Sequence, residues 1–108
     1  MTETEVLTRL SELITQRRNL PDPASYTSAL FERGQDQILK KLGEEVVEVV
    51  MASKDGRSED VISEIADLWF HSLVVMAYHD IKISDISAEL ERREGISGLE
   101  EKANRTKS

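Results

Sequence analysis

The chain has 108 residues, with 21 acidic and 14 basic side chains, a net charge of -7 and no cysteine. That length fits a single domain with a real core, small enough for oligomerisation to add stability. The acidic balance argues against a nucleic-acid binder, whose affinity for phosphates rests on excess Lys and Arg, and the missing cysteines exclude a disulfide framework and a thiolate zinc site.

The N-terminus, Met1-Thr2-Glu3-Thr4-Glu5, is acidic and polar, unlike a signal peptide, and a soluble cytoplasmic protein is expected. Thr2 with Glu5 reads as a capping box ahead of Val6, Leu7, Leu10, Leu13 and Ile14, which predicts one amphipathic helix ending near Arg18. Asn19-Leu20-Pro21-Asp22-Pro23 breaks it, because two prolines stop helix propagation. Ser25-Tyr26-Thr27-Ser28 follows as a hydroxyl-rich loop or N-cap leading into residues 29–33, and Gly34 ends that turn.

Residues 35–54 are predicted as a first ligand helix and residues from Ser58 to about His79 as a second. Asp55-Gly56-Arg57 forms the tight turn between them, with Ser58 as cap and Glu59 and Asp60 at the positive helix end. Two groups of carboxylates mark this pair: Glu44-Glu45-Val46-Val47-Glu48 and Glu64-Ile65-Ala66-Asp67. Residues three apart are neighbours on one helical face, so Glu45 with Glu48, and Glu64 with Asp67, form side-by-side oxygen pairs that face each other if the helices pack antiparallel.

On the first ligand helix Ile38, Leu39, Leu42, Val46, Val49, Val50 and Ser53 form the expected core face, bordered by Lys41, Glu45, Glu48 and Ala52. The second is apolar nearly all round, with Trp69 in its core arc. It leaves a narrow strip of Glu64, Asp67, His71 and Tyr78, and so reads as a buried core helix rather than a membrane span. Two carboxylates about 4 Å apart repel by roughly 4 kcal/mol at an effective dielectric near 20, so a converging set takes up protons or a cation. Oxygen ligands without Cys or a His pair favour Mg²⁺, or Mn²⁺, over zinc. Metal ligands are therefore expected at Glu45, Glu48, Glu64 and Asp67, against the alternative of a solvated, salt-bridged helix face. His71 is expected to hydrogen-bond near the ligands rather than bind metal.

Asp80 to Ile83 is the next connection, and Ser84-Asp85 opens a short helix with Ile86 and Leu90 that ends near Arg93. Gly95-Ile96-Ser97-Gly98 breaks it. This divides the chain into a domain of residues 1–95 and a polar, flexible tail of residues 96–108, in which Lys102 and Arg105 are within reach of a phosphate. Val47, Met51, Phe70 and Val74 extend the apolar surface of the ligand helices beyond what a monomer hides, and a homodimer is expected. The fold class is all-α, a bundle of four or five helices around the antiparallel central pair.

Ser25-Tyr26-Thr27, Leu30-Phe31, Gly34, Lys41-Leu42-Gly43-Glu44-Glu45, Glu48, Ala52-Ser53-Lys54, Glu64-Ile65-Ala66-Asp67-Leu68 and His71 resemble the phosphoribosyl-ATP pyrophosphatase family of histidine biosynthesis. The resemblance covers about residues 6 to 93. The wider all-α nucleotide pyrophosphohydrolases of the MazG type share only the acidic ligands.

The resemblance implies hydrolysis of phosphoribosyl-ATP to phosphoribosyl-AMP and pyrophosphate by a homodimer with sites near its interface. Glu45, Glu48, Glu64 and Asp67 would hold Mg²⁺, with Glu44 as a support or second-metal ligand. Lys41 would neutralise the leaving pyrophosphate or pair with Glu45. Ser25, Tyr26 and Thr27 would close over the nucleotide or simply cap a helix. With Lys54, and more weakly Arg92 and Arg93, they would supply donors to the extra ribose phosphate. The alternatives are a broader nucleoside triphosphate pyrophosphohydrolase and a non-enzymatic helical interaction module.

Overall fold

A computed structural model describes residues 2–95 and 98–106, so Ile96 and Ser97, within the expected break after Gly95, lie outside the described residues. The described residues form six helices and no strand: α1 (Glu3–Asn19), α2 (Tyr26–Arg33), α3 (Gln35–Asp55), α4 (Ser58–Tyr78), α5 (Ile83–Arg93) and α6 (Gly98–Thr106). The all-α class and the central pair are as expected. The sixth helix arises because much of the expected polar tail is helical.

The capping box forms as read. Thr2 Oγ1 accepts the Glu5 N–H at 3.2 Å and the Glu5 carboxylate accepts the Thr2 N–H at 3.3 Å, an arrangement that contributes about 0.5–2 kcal/mol. The prolines end α1, and Asp22 organises the linker. Its carboxylate accepts from Arg17 at 3.0 Å and from the Ala24 N–H at 2.9 Å, while its own N–H donates to Ser28 Oγ at 3.0 Å. Ser28 is buried, and its hydroxyl donates onward to the Arg17 carbonyl at 2.9 Å. This polar knot fixes where α2 begins, and hence where Tyr26 sits.

Gly34 joins α2 to α3 at φ 95°, a left-handed conformation that glycine adopts without steric cost. Gly56, at φ 77°, closes α3 by donating to the Ala52 and Ser53 carbonyls, both at 3.1 Å. Arg57, not Ser58, takes the cap position of α4. Its side chain instead pairs with Asp60 at 2.9 Å, leaving the first turn to the charges of Glu59 and Asp60. At α5 the opening lies one residue earlier than expected, at Ile83, because the Asp85 carboxylate accepts the Lys82 N–H at 2.9 Å.

The core gathers Ile14 of α1, Leu30 of α2, Ile38 of α3, and Leu73, Val74 and Ala77 of α4. Two expectations about the apolar arcs are corrected here. Val74, expected to extend the outer surface, is the centre of the core at 0% exposure, while Trp69, expected to pack inside, is 55% exposed. On α3 the buried residues are Ile38 and, towards the other end of the helix, Ala52, while Leu39, Val46 and Val50 stay exposed. A helical wheel reports which arc is apolar, whereas burial depends on which part of the arc a neighbour covers. α3 and α4 cover each other, α1 packs on α4 and α2 on α3, and among the described residues Leu39, Val46, Val50 and Trp69 remain exposed.

The Cα radius of gyration is 16.2 Å, above the about 13 Å of a compact domain of this length. The described α5 buries none of its residues. Among the described residues α4 is long and apolar enough to cross a membrane, with hydropathy 1.3 over its most apolar window. In this structure it instead packs along α3 and α1.

Candidate active site

The two-residue turn at Gly56 and Arg57 folds α4 back along α3, so residues late in α3 face residues early in α4. In that antiparallel register Glu45 meets Glu64 and Asp67, one carboxylate oxygen of each lying within 4.8 Å of the others. Glu45 and Glu64 are half-buried and Asp67 is exposed. A hard divalent ion with oxygen ligands at about 2.1–2.6 Å holds those ligands roughly 3–5 Å apart, a spacing compatible with that of the three carboxylates.

The electrostatics point the same way. Partial burial, followed by repulsion from Glu48, Asp67, Glu45 and Asp60, raises the pKa of Glu64 above its ordinary value. Glu48 is exposed and stands outside the converging trio, yet among the neighbouring charges it repels Glu64 most. Glu44 faces away, paired with Lys41 at 3.4 Å and Lys40 at 3.9 Å. Lys41 therefore bonds Glu44 rather than Glu45.

Lys41 also links the acids to α2. Its ammonium is held charged to higher pH first by the Tyr26 oxygen and then by Glu44, with a smaller contribution from Glu45. Tyr26, Lys41 and Glu45 thus share one flank of the hairpin. The Tyr26 hydroxyl lies 3.1 Å from His71 Nε2, and His71 Nδ1 lies 2.8 Å from the Asp67 carbonyl. His71 is buried and bonds the backbone of a carboxylate residue, the placement expected for it.

Ser25 is the N-cap of α2, its hydroxyl oxygen accepting the Ser28 N–H at 3.1 Å, and Thr27 is half-buried in the first turn. Lys54 is exposed near the far end of α3. It lies nine residues, or about 13 Å of helix, beyond Glu45, so the structure does not bring it to the Tyr26 end. Arg92 and Arg93 on α5 both bond Glu89, at 2.6 and 3.5 Å. The Asp22 knot and the Tyr26 to His71 bond are what sequence spacing missed; the proline-flanked Asp22 was the available signal for the first.

A helical hairpin with converging carboxylates is consistent with the class of all-α nucleotide pyrophosphohydrolases that the sequence resembles. Within that class, the model of the family described as phosphoribosyl-ATP pyrophosphohydrolase matches residues 7–94. The chain belongs to this family. It is 50% identical over 101 residues to the phosphoribosyl-ATP pyrophosphatase of Vesicomyosocius okutanii, covering 94% of this chain and 96% of that one. The protein of the same name from Bordetella avium is 52% identical over 104 residues, covering 94% of this chain and 90% of the relative. That from Nitrosospira multiformis is 50% identical over 105 residues, covering 97% and 87%.

Proposed function

We propose that this protein hydrolyses phosphoribosyl-ATP to phosphoribosyl-AMP and pyrophosphate, the second step of histidine biosynthesis. The observation that carries the reading is the convergence of Glu45, Glu64 and Asp67 on a hairpin whose sequence belongs to this family. Water bonds to the α-phosphorus and gives up a proton to the solvent, the bond to the bridging oxygen breaks, and pyrophosphate leaves with that electron pair. Glu45, Glu64 and Asp67, joined by Glu48, would hold Mg²⁺ or Mn²⁺. Such an ion, when bound, supplies positive charge to the phosphoryl oxygens and acidifies water.

The chain's own residues do the rest. Lys41 places its ammonium where the departing pyrophosphate gathers charge, and Glu44 holds that ammonium in place. Ser25 and Thr27 offer hydroxyls at the mouth of α2, and Lys54 serves substrate parts that extend along α3. The catalytic domain is residues 1–95, with residues 96–108 outside it. The cysteine-free composition suits the reducing cytoplasm.

The assembly is a homodimer. Ile62 and Trp69 of α4 are 69% and 55% exposed, and Val47 and Met51 of α3 are 55% and 59% exposed, an apolar surface that a second copy would cover.

A pyrophosphate-release assay on phosphoribosyl-ATP beside a panel of ordinary nucleoside triphosphates tests the reading. The expected result is strong preference for phosphoribosyl-ATP. Equal kcat/KM for it and for ATP would leave a broader nucleoside triphosphate pyrophosphohydrolase instead.

A further inference from the structure

Among the described residues His71 is one of two buried polar side chains, and both of its ring nitrogens are engaged. The partner of Nδ1 is the backbone carbonyl of Asp67, at 2.8 Å. A carbonyl oxygen only accepts, so Nδ1 carries the proton, and in the singly protonated ring Nε2 presents a lone pair. Tyr26 must then donate its hydroxyl proton to Nε2, across 3.1 Å. The imidazole is also held by its neighbours. Phe70 meets it edge-on with centroids 5.1 Å apart at 86°, and Tyr26 at 6.0 Å and 80°. A ring flip would give up both hydrogen bonds.

Tyr26 itself is exposed, beside Lys41 on the flank of the carboxylate trio. A phenol has one proton and two lone pairs. With the proton given to a buried acceptor, the outward side of the oxygen offers lone pairs alone.

We propose that His71 is a positioning residue for Tyr26, accepting the hydrogen bond from its hydroxyl so that the exposed phenol oxygen meets the substrate as an acceptor and recognises hydroxyl or N–H groups of the nucleoside. This inference rests on the pyrophosphohydrolase reading and deepens it. Ionised phosphate oxygens are acceptors too, so the Tyr26 oxygen repels them and the phosphates fall to Lys41 and the ion. Tyr26 thus reads the ribose hydroxyls and the N–H group of the purine. This reverses the expectation that it supplies a donor to the extra ribose phosphate.

The test compares wild type, Tyr26→Phe, His71→Asn and the double variant, each loaded with Mg²⁺. It uses steady-state kinetics on phosphoribosyl-ATP and competitive inhibition by inorganic tripolyphosphate. Tripolyphosphate, ionised, offers no donor. Tyr26→Phe should raise KM about tenfold, the loss of one hydrogen bond, with kcat less affected and the tripolyphosphate inhibition constant unchanged within about twofold. His71→Asn keeps an N–H for the Asp67 carbonyl but removes the acceptor for Tyr26. It should raise KM in the Tyr26 background and do nothing further in the Tyr26→Phe background. His71→Gln, whose amide oxygen reaches where Nε2 stands, should restore KM, and it carries this arm if the Asn variant fails to fold.

Weakened tripolyphosphate inhibition in Tyr26→Phe would show Tyr26 donating to phosphate and overturn the inference. Additive effects of the two substitutions would overturn it as well, because His71 would then act without Tyr26. A wild-type enzyme that releases no pyrophosphate from phosphoribosyl-ATP overturns the functional reading itself, and the inference with it.

Discussion

Arg18, near the end of α1, donates to the Ala77 carbonyl in the last turn of α4 and, at 2.7 Å, to Asp80 Oδ1 just beyond it. The two bonds are unequal. The Asp80 side chain is 81% exposed, and such surface ion pairs contribute about 0–1 kcal/mol. The bond to the carbonyl is charge-assisted and part-buried, although that carbonyl keeps the Asp80 N–H at 3.1 Å when Arg18 is lost. Arg18→Met should therefore lower the unfolding free energy by about 1–2 kcal/mol, and Asp80→Asn by less than about 0.5 kcal/mol, in urea titrations.

The carboxylates should separate catalysis from folding. Excess EDTA should abolish turnover while the helical circular dichroism persists, and Mg²⁺ or Mn²⁺ should restore activity. Glu45→Gln, Glu48→Gln, Glu64→Gln and Asp67→Asn should each reduce turnover severely yet leave the metal-free thermal midpoint unchanged or raised, because each removes one of several like charges. Unfolding of these variants without metal would make the carboxylates structural partners instead.

Glu64 also dictates a pH dependence. Its folded pKa is raised above 4.5 by partial burial and by Glu48, Asp67, Glu45 and Asp60. Above the folded value the native state holds the unfavourable charge in full. As pH falls through that value the native state takes a proton before the unfolded chain does, so stability rises, and the gain is complete below 4.5. Glu89 runs the other way: its bonds to Arg92 and Arg93 lower its pKa, and its contribution is lost only as pH falls below 4.5. The EDTA-treated protein should therefore melt at a higher temperature as pH falls through the raised pKa of Glu64 towards 4.5, and Glu64→Gln should remove that rise. Saturating Mg²⁺ should remove it as well.

The hairpin's acids were legible from spacing because both constraints are local: a three-residue repeat on each helix and a glycine turn between them. Glu45, Glu64 and Asp67 converge as the pattern requires, and Glu48 stands within their field. What could not be read joins distant residues. Tyr26 and His71 are 45 positions apart, and Arg18 and Ala77 are 59 apart. Periodicity carries no information about such pairs. The exchange of roles between Trp69 and Val74 has a similar origin, since both lie within one apolar arc and only the packing partner decides which is covered.

Those uncovered side chains yield a prediction that needs no mutation. If a second copy covers Ile62, Trp69, Val47 and Met51, folding and association are linked, and the melting temperature should rise with protein concentration. Met51→Glu should lower both the melting temperature and the sedimentation mass. A concentration-independent melt of a monomer would remove the dimer from the proposal.

The two residues between α3 and α4 act as a phase lock. Each residue inserted into a helix rotates everything beyond it by about 100°, and a turn of only Gly56 and Arg57 has almost no slack to absorb such a rotation. The alignment of Glu64 and Asp67 with Glu45 is therefore closer to a toothed gear than to a sliding scale: an added residue that enters either helix between the acids would skip a tooth and dissolve the site outright. The same residue added to the irregular stretch around Pro23 would move only the approach to Tyr26.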